Sequence, residues 1–312
     1  MTKVLAVGRF DASSTKAIEE KGWLRQPSMK EAGELGEAER SEIVAVAYLG
    51  HHPFDGATMD LLPNLGIIAN FGVGYDAIDV DAASKRGIKV TNTPDVLSDD
   101  VADLAVAMLL AHLRKVPEAD RHVRSGAWDR KEPFPLQRKM TGQKVGILGL
   151  GRIGHEIADR LAAFKMEVHY WSRSPKQTPA AWTYHEDAAA MMKAVDFAVV
   201  ALVGGPATEG FVTREMIEAL GSRGVLVNIS RGSTIDEEAM IAALQDGRLG
   251  GACLDVFLNE PHADKRFYEM DNVLLQPHQA SATVETRADM GQLQRDNIEA
   301  FLAGKPLLTP VN

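Results

Sequence analysis

Residues 144–154 read KVGILGLGRIG. Val145, Ile147 and Leu148 have strand character, three glycines follow as G-x-G-x-x-G, and Ile157, Leu161 and Phe164 continue at helical spacing. A strand, a tight turn and a helix in that order leave few folds open. Gly149 permits the sharp turn, Gly151 lets backbone approach a pyrophosphate, and Gly154 lets helix and strand pack closely. The helix start then offers free N–H groups and the positive end of its dipole to phosphate. Gly149, Gly151, Arg152, Ile153 and Gly154 are therefore the expected pyrophosphate turn of a dinucleotide-binding fold. A chain with 27 glycines can produce this spacing by accident. Its place between a strand and a helix gives it meaning.

The flanking sequence has the same rhythm. Residues 4–7, 43–48, 65–70 and 88–90 have the apolar character of buried strands, and helix-compatible stretches alternate with them. This predicts a small parallel α/β unit ahead of the glycine turn. After the turn, residues 168–171, 197–202, 225–229, 252–256 and 273–275 are strand candidates, enough for a doubly wound sheet. Ser98, Asp99 and Asp100 read as a helix start, a capping side chain followed by acids. Residues 102–113 continue as an almost wholly apolar, hence buried, helix. Residues 117–140 are polar and interrupted by prolines, the pattern of a functional arm or lid. Trp128 lies in that arm, with a pocket, a partner chain or its own domain as possible contacts. A last helix is expected over 284–302. Internal repeats and low-complexity tracts are absent from the sequence.

At 312 residues the chain has room for two domains. Its 45% hydrophobic and 25% charged residues are those of a globular protein. A net charge of −9 argues against a general nucleic-acid or anionic-membrane surface. Cys253 is the only cysteine, so an intramolecular disulfide is excluded and a reducing, cytoplasmic setting fits. It sits in a strand-like run and reads as a core residue. The apolar run at the N-terminus is short for a signal peptide, and no stretch reaches the length of a membrane span.

In a dinucleotide fold, an acid at the end of the second strand binds the ribose 2′-OH of NAD. Here that position reads Tyr170-Trp171-Ser172-Arg173-Ser174, with a cation and two hydroxyls in place of the acid. Arginine grips phosphate with paired, charge-assisted hydrogen bonds. Ser172, Arg173 and Ser174 therefore predict a preference for NADP(H), with NAD(H) as the second choice. Lys176 is a weaker contributor, and no metal site is expected.

Three further residues stand just past strand candidates: Arg231 in VNISRG, Glu260 in DVFLNEP and His278 in LLQPHQAS. Ligands of open α/β sheets bind beyond the carboxyl ends of the strands. The trio suits reduction of a ketone. His278 can donate a proton near neutral pH. Glu260 can hold the imidazole, and Arg231 can clamp a carboxylate beside the carbonyl. A loop earlier in the chain, Asn70-Phe71-Gly72-Val73-Gly74-Tyr75-Asp76, is either a plain turn or a backbone cradle for an anion.

These motifs, with residues 149–154, 228–232, 255–261 and 277–283, resemble the D-2-hydroxyacid dehydrogenase family along essentially the whole chain. The resemblance implies two Rossmann-like, doubly wound parallel-sheet domains with the active-site cleft between them. It implies a discontinuous substrate domain of residues 1–98 plus 286–312 and a dinucleotide-binding domain of residues 99–285, hinged near 99–115 and 285. It assigns Arg231 to substrate, Glu260 and His278 to the acid–base pair, Val73 and Gly74 to the substrate carboxylate, Arg152 to the pyrophosphate and Asp255 to the nicotinamide end. It also implies a homodimer, with the arm around Trp128 reaching the neighbour's active site. TPDVLSDDVADLA, WSRS and KPLLTPV bring the chain nearest to the NADPH-dependent glyoxylate, hydroxypyruvate and hydroxyphenylpyruvate reductases. Residues 203–209 (VGGPATE) depart from the usual leucine–proline–threonine loop, and Gln279 and Ala280 stand where Ile and Gly are common. The competing readings are an NADH-preferring D-2-hydroxyacid dehydrogenase and a cofactor-sensing binding protein.

Overall fold

The computed structural model describes residues 3–312. The chain forms two compact units. One runs up to Leu97 and resumes at Ser281–Asn312; the other is Ser98–Ala280.

The first unit is a five-stranded parallel sheet of β1 (Lys3–Val7), β2 (Leu24–Gln26), β3 (Ile43–Tyr48), β4 (Ile67–Asn70) and β5 (Lys89–Thr91), in the order β2-β1-β3-β4-β5. Its inner strands are apolar at nearly every position because both faces are covered. Leu5, Val7, Val46, Tyr48, Ile68 and Val90 join Phe54, Met59 and Leu62 on one face. Val4, Ala6, Ala45, Ala47, Ile67 and Ala69 join Ile18 and Ile298 on the other. The alanines make the second face shallow, so the last helix (Val284–Leu302) docks close: a Cβ on Gly66 would stand 2.3 Å from the Phe301 ring. Gln294 of that helix is buried, and its amide donates to the carbonyls of Tyr48 (3.2 Å) and Ala69 (2.7 Å).

The second unit is a seven-stranded parallel sheet of β6 (Lys144–Leu148), β7 (Glu167–Trp171), β8 (Thr183–His185), β9 (Phe197–Val200), β10 (Val225–Asn228), β11 (Gly251–Leu254) and β12 (Val273–Leu275). The order is β12-β11-β10-β9-β6-β7-β8. From β6 the chain steps outward to one edge, then returns to β9 and steps to the other. The β6/β9 boundary is thus the topological switch point, where such sheets bind ligands. Two parallel α/β sheets were expected, and the strands foreseen in the sequence are present. The short edge strands β2 and β8 were not foreseen.

Two local expectations change, and one open alternative closes. Ser98 is the first residue of the helix Ser98–Leu113, and its buried hydroxyl has no hydrogen-bond partner among the described residues, so it does not cap. The segment after residue 116 is not irregular throughout: Val116–Arg124 is a helix with Pro117 in its first turn, where the missing N–H costs nothing. Trp128 is 68% exposed, so it does not fasten the arm to its own unit. The apolar stripe of Ser98–Leu113 is buried as expected. Arg160, on the helix beside it, donates to Asp99 (2.5 Å) and Asp103 (2.6 Å). Cys253 is a fully buried core residue whose Sγ lies 3.6 Å from the Met108 carbonyl, and burial pushes its thiol pKa up.

Candidate active site

In the second unit, every predicted site residue follows the carboxyl end of a parallel strand, which puts all of them at one edge of that sheet. Gly149 follows β6 with φ +97°, and a Cβ there would lie 2.7 Å from the Ala201 carbonyl. Gly154 is tighter still, its added Cβ falling 2.1 Å from the Gly149 oxygen. Gly151 begins the helix Arg152–Ala163 without a side-chain cap, and the space around its Cα is open. Two glycines required by packing and a third facing open space beside uncapped N–H groups form a cradle that fits a dinucleotide pyrophosphate.

At the end of β7, the buried Ser172 hydroxyl donates to the Ser174 carbonyl at 2.6 Å and closes a turn. Arg173 and Ser174 are exposed on that turn. No carboxylate stands among residues 171–176, so a phosphate arriving there meets a cation and a hydroxyl.

The acid–base candidates lie together. His278 Nδ1 is 2.7 Å from Glu260 Oε2, while Glu260 Oε1 accepts the Phe257 N–H at 3.0 Å. With Nδ1 committed to the carboxylate, proton transfer falls to Nε2. His278 itself has φ +51°, a left-handed conformation unusual for a non-glycine residue. Asp255 holds the backbone that follows it: Oδ1 accepts the Gln279 N–H at 2.8 Å and Oδ2 the Ala280 N–H at 3.0 Å. Asp255 is fully buried, and burial pushes its carboxyl pKa up while the two N–H groups pull it down. The grip uses only the N–H groups of residues 279 and 280. Gln and Ala therefore serve as well as the more usual Ile and Gly.

Arg231 sits just beyond β10, and its guanidinium donates to the Ser230 carbonyl at 2.8 Å. Its own carbonyl accepts from Asn228 Nδ2 (2.9 Å) and Thr234 Oγ1 (2.7 Å). Asn228 Oδ1 also accepts the Ser230 N–H at 3.0 Å. The loop is thus rigid at the residue that carries the cation. The divergent segment 203–209 is closed by the Thr208 hydroxyl, which donates to the carbonyls of Val203 (2.5 Å) and Gly205 (3.1 Å).

In the first unit, Val73 and Gly74 follow β4. Asn70 Nδ2 donates to the carbonyls of Gly72 (3.1 Å) and Gly74 (2.9 Å), and Asn92 Nδ2 to that of Val73 (2.9 Å). The Gly72 N–H donates to Thr93 Oγ1 at 3.0 Å. With the loop's carbonyls held within the unit, the N–H groups of Val73 and Gly74 are its distinctive offering. Sequence reasoning missed Asn70, Asn92, Thr93, Asn228 and Thr234. For all but Thr234, the one available signal was a polar residue at or just past the end of an apolar strand.

Residues 106–280 match the family described as D-isomer specific 2-hydroxyacid dehydrogenase, NAD binding domain. The hydroxyphenylpyruvate reductase of Plectranthus scutellarioides is 47% identical over 257 residues, 82% of this chain and 82% of that protein. A glyoxylate/hydroxypyruvate reductase of Arabidopsis thaliana is 46% identical over 288 residues, 92% of this chain and 91% of its own. Among solved structures, an NADPH-dependent glyoxylate/hydroxypyruvate reductase from Sinorhizobium meliloti in complex with NADP and malonate is 40% identical, with a TM-score of 0.92 and coverage of 100% of this chain and 97% of that one. With half its length matching the domain and relatives this similar over most of the remainder, the chain belongs to the D-isomer specific 2-hydroxyacid dehydrogenase family of oxidoreductases.

Proposed function

We propose that the protein reduces a 2-ketoacid of the glyoxylate, hydroxypyruvate or aryl-pyruvate type to the D-2-hydroxyacid, with NADPH preferred over NADH. The observation that carries this reading is the 2.7 Å His278–Glu260 pair. A nicotinamide cofactor, when bound, supplies the hydride. The protein supplies the proton and the placement. Arg231 takes the substrate carboxylate and draws electron density toward the carbonyl oxygen. In the first unit, the N–H groups of Val73 and Gly74 offer a cradle for carboxylate charge. As negative charge develops on the carbonyl oxygen, His278 Nε2 delivers its proton there, and the neutral ring is reprotonated from water. Glu260 keeps the ring oriented through Nδ1.

Arg173, presented on the turn that Ser172 closes, supports the NADPH preference, with Ser174 as a second phosphate donor. Gly149, Gly151, Arg152, Ile153 and Gly154 form the pyrophosphate site in this reading. Asp255 acts chiefly by fixing the backbone after His278. The same reading makes the protein a homodimer, supported by the exposed Val116, Val123, Trp128 and Leu136 in one stretch of chain. No helix among the described residues is long and apolar enough to cross a membrane, and we place the protein in the cytoplasm.

The test is the initial rate of hydroxypyruvate reduction by purified protein with NADPH and with NADH, followed by glyoxylate and phenylpyruvate. Turnover favouring NADPH is expected. Equal or faster turnover with NADH refutes the phosphate site at Arg173. Absence of turnover with every ketoacid refutes the reductase reading.

A further inference from the structure

The loop that carries Glu260 loses its apolar anchorage after Phe257, which packs on the core and on Phe267 (ring centroids 6.3 Å). Val256 is buried, but Leu258 is 52% exposed and Asn259 is exposed as well. Two consecutive N–H groups hold the turn that follows. Phe257 donates to Glu260 within the loop, at 3.0 Å. Leu258 donates to Glu237 Oε2 at 3.1 Å, and Glu237 is the first residue of the helix Glu237–Gln245. Five residues lie between Arg231 and Glu237, and the turn they form presses on the same peptide: a Cβ on Gly232 would fall 2.0 Å from Phe257 C and 2.2 Å from Leu258 N. Gly232 supplies the close approach and Glu237 the acceptor. Together they join the Arg231 loop to the Glu260 loop.

We infer that Glu237 is a positioning residue: by accepting the Leu258 N–H it fixes the Glu260 loop against the Arg231 turn and so sets the orientation of the His278–Glu260 pair. This inference rests on the assignment of that pair as the acid–base couple. The surroundings of Glu237 agree with a held acceptor. Its half-buried carboxyl has its pKa raised, chiefly by burial, with Asp264 and Glu238 adding to the rise and the Leu258 N–H and Arg266 opposing it. Arg266 does not serve as its partner, because that guanidinium is committed to Asp264 and Glu238. The Leu258 N–H is therefore the specific contact that makes an acceptor at 237 useful.

Geometry at a reacting pair is costly to lose; a misplacement of about 1 Å can cost on the order of 100-fold in rate. Glu237→Ala is expected to lower kcat by about 10- to 100-fold with KM for the ketoacid within about threefold of wild type. Glu237→Gln keeps an oxygen that accepts from Leu258 and is expected to retain kcat within about threefold. Glu237→Asp keeps the charge and the acidic helix start but withdraws the acceptor, and is expected to fall with Ala, which covers the case of a poorly folding Ala variant. The pH profile of kcat/KM and the NMR titration of the His278 ring in cofactor-free protein are expected to change in Ala and Asp and not in Gln. Wild-type kcat and pH profile in Ala or Asp overturn the inference. So does an equal loss in Gln, which would assign the effect to charge. Failure of the wild type to turn over any ketoacid would instead overturn the reductase reading on which the inference rests.

Discussion

Gly151 and Gly154 belong to one motif, yet the structure separates their roles. An alanine methyl at 154 would stand 2.1 Å from the Gly149 carbonyl oxygen. Relief requires the helix Arg152–Ala163 to move away from β6 by about 1 Å, and overpacking of that kind costs about 1–3 kcal/mol. Alanine regains up to about 1 kcal/mol through its better helix propensity. The net loss is then about 1–2 kcal/mol, a fall in Tm of about 2–8 °C for a unit of this size. The same movement takes the helix start away from the phosphates, so affinity falls too. At 151 the geometry is different: nothing lies within 4 Å of the added Cβ, and φ is −86°, which any residue adopts. Gly151→Ala is expected to lower Tm by no more than about 4 °C, since glycine at this helix start is favoured over alanine by about 0.5–1 kcal/mol. The methyl would occupy the approach of the pyrophosphate, and loss of one hydrogen bond to a charged group corresponds to about 10- to 100-fold in Kd. Thermal unfolding without cofactor and fluorescence titration with NADPH separate the two effects. Gly151→Ala binding NADPH as tightly as wild type, or Gly154→Ala melting with wild type, would refute the division of labour.

Three other perturbations bear on separate parts of the site and the fold. Arg173→Ala is expected to raise the Kd for NADPH about 10- to 100-fold and leave that for NADH unchanged, measured by the same titration. Glu260→Gln keeps an acceptor for the Phe257 N–H but removes the charge facing His278, so kcat should fall about 100-fold or more without a change in Tm. Burial, with Lys115 and Arg138 adding to it and Glu118 opposing, lowers the His112 pKa to about 4 from an ordinary 6.5. The folded state thus binds the proton more weakly than the unfolded chain. Stability is complete above pH 6.5 and is lost as pH falls toward 4, by about 2–3 kcal/mol. Urea unfolding of wild type and His112→Gln at pH 7 and pH 4.5 should show a smaller loss in the variant.

What was legible in the fold followed burial. The inner strands of both sheets are covered on two faces, so they read as unbroken apolar runs such as IVAVAY and FAVV. Two of the four edge strands do not. Leu24–Gln26 and Thr183–His185 are three residues each, polar in part, and gain strand geometry only from the neighbour that pairs with them. Propensity cannot signal a partner that lies many residues away. Pro117 misled for a related reason: a proline inside a polar stretch reads as a breaker, but in the first turn of a helix its fixed φ assists the fold.

The residues proposed for the chemistry stand out in the sequence by type, and most of those that hold their loops do not. Arg231, Glu260 and His278 announce themselves by residue type, because charge transfer and proton transfer need such groups. The residues that set their loops are short polar side chains at the ends of buried strands. Asn70 closes β4 and binds two carbonyls of the Val73 loop. Asn228 closes β10 and binds the Arg231 carbonyl and the Ser230 N–H. Asp255 follows β11 and binds two N–H groups after His278. In each case an apolar run ends in Asn or Asp, in IIAN, VLVN and GACLD, and the side chain substitutes for the strand partner that the departing backbone loses. The choice of residue follows the polarity of what must be held. An amide can bind a carbonyl and an N–H at once, as Asn228 does. A carboxylate can only accept, and Asp255 faces N–H groups alone. Exchanging Asp255 for Asn would present an NH₂ group to a backbone donor in a fully buried place, so this end of the motif admits no amide, although the other two require one.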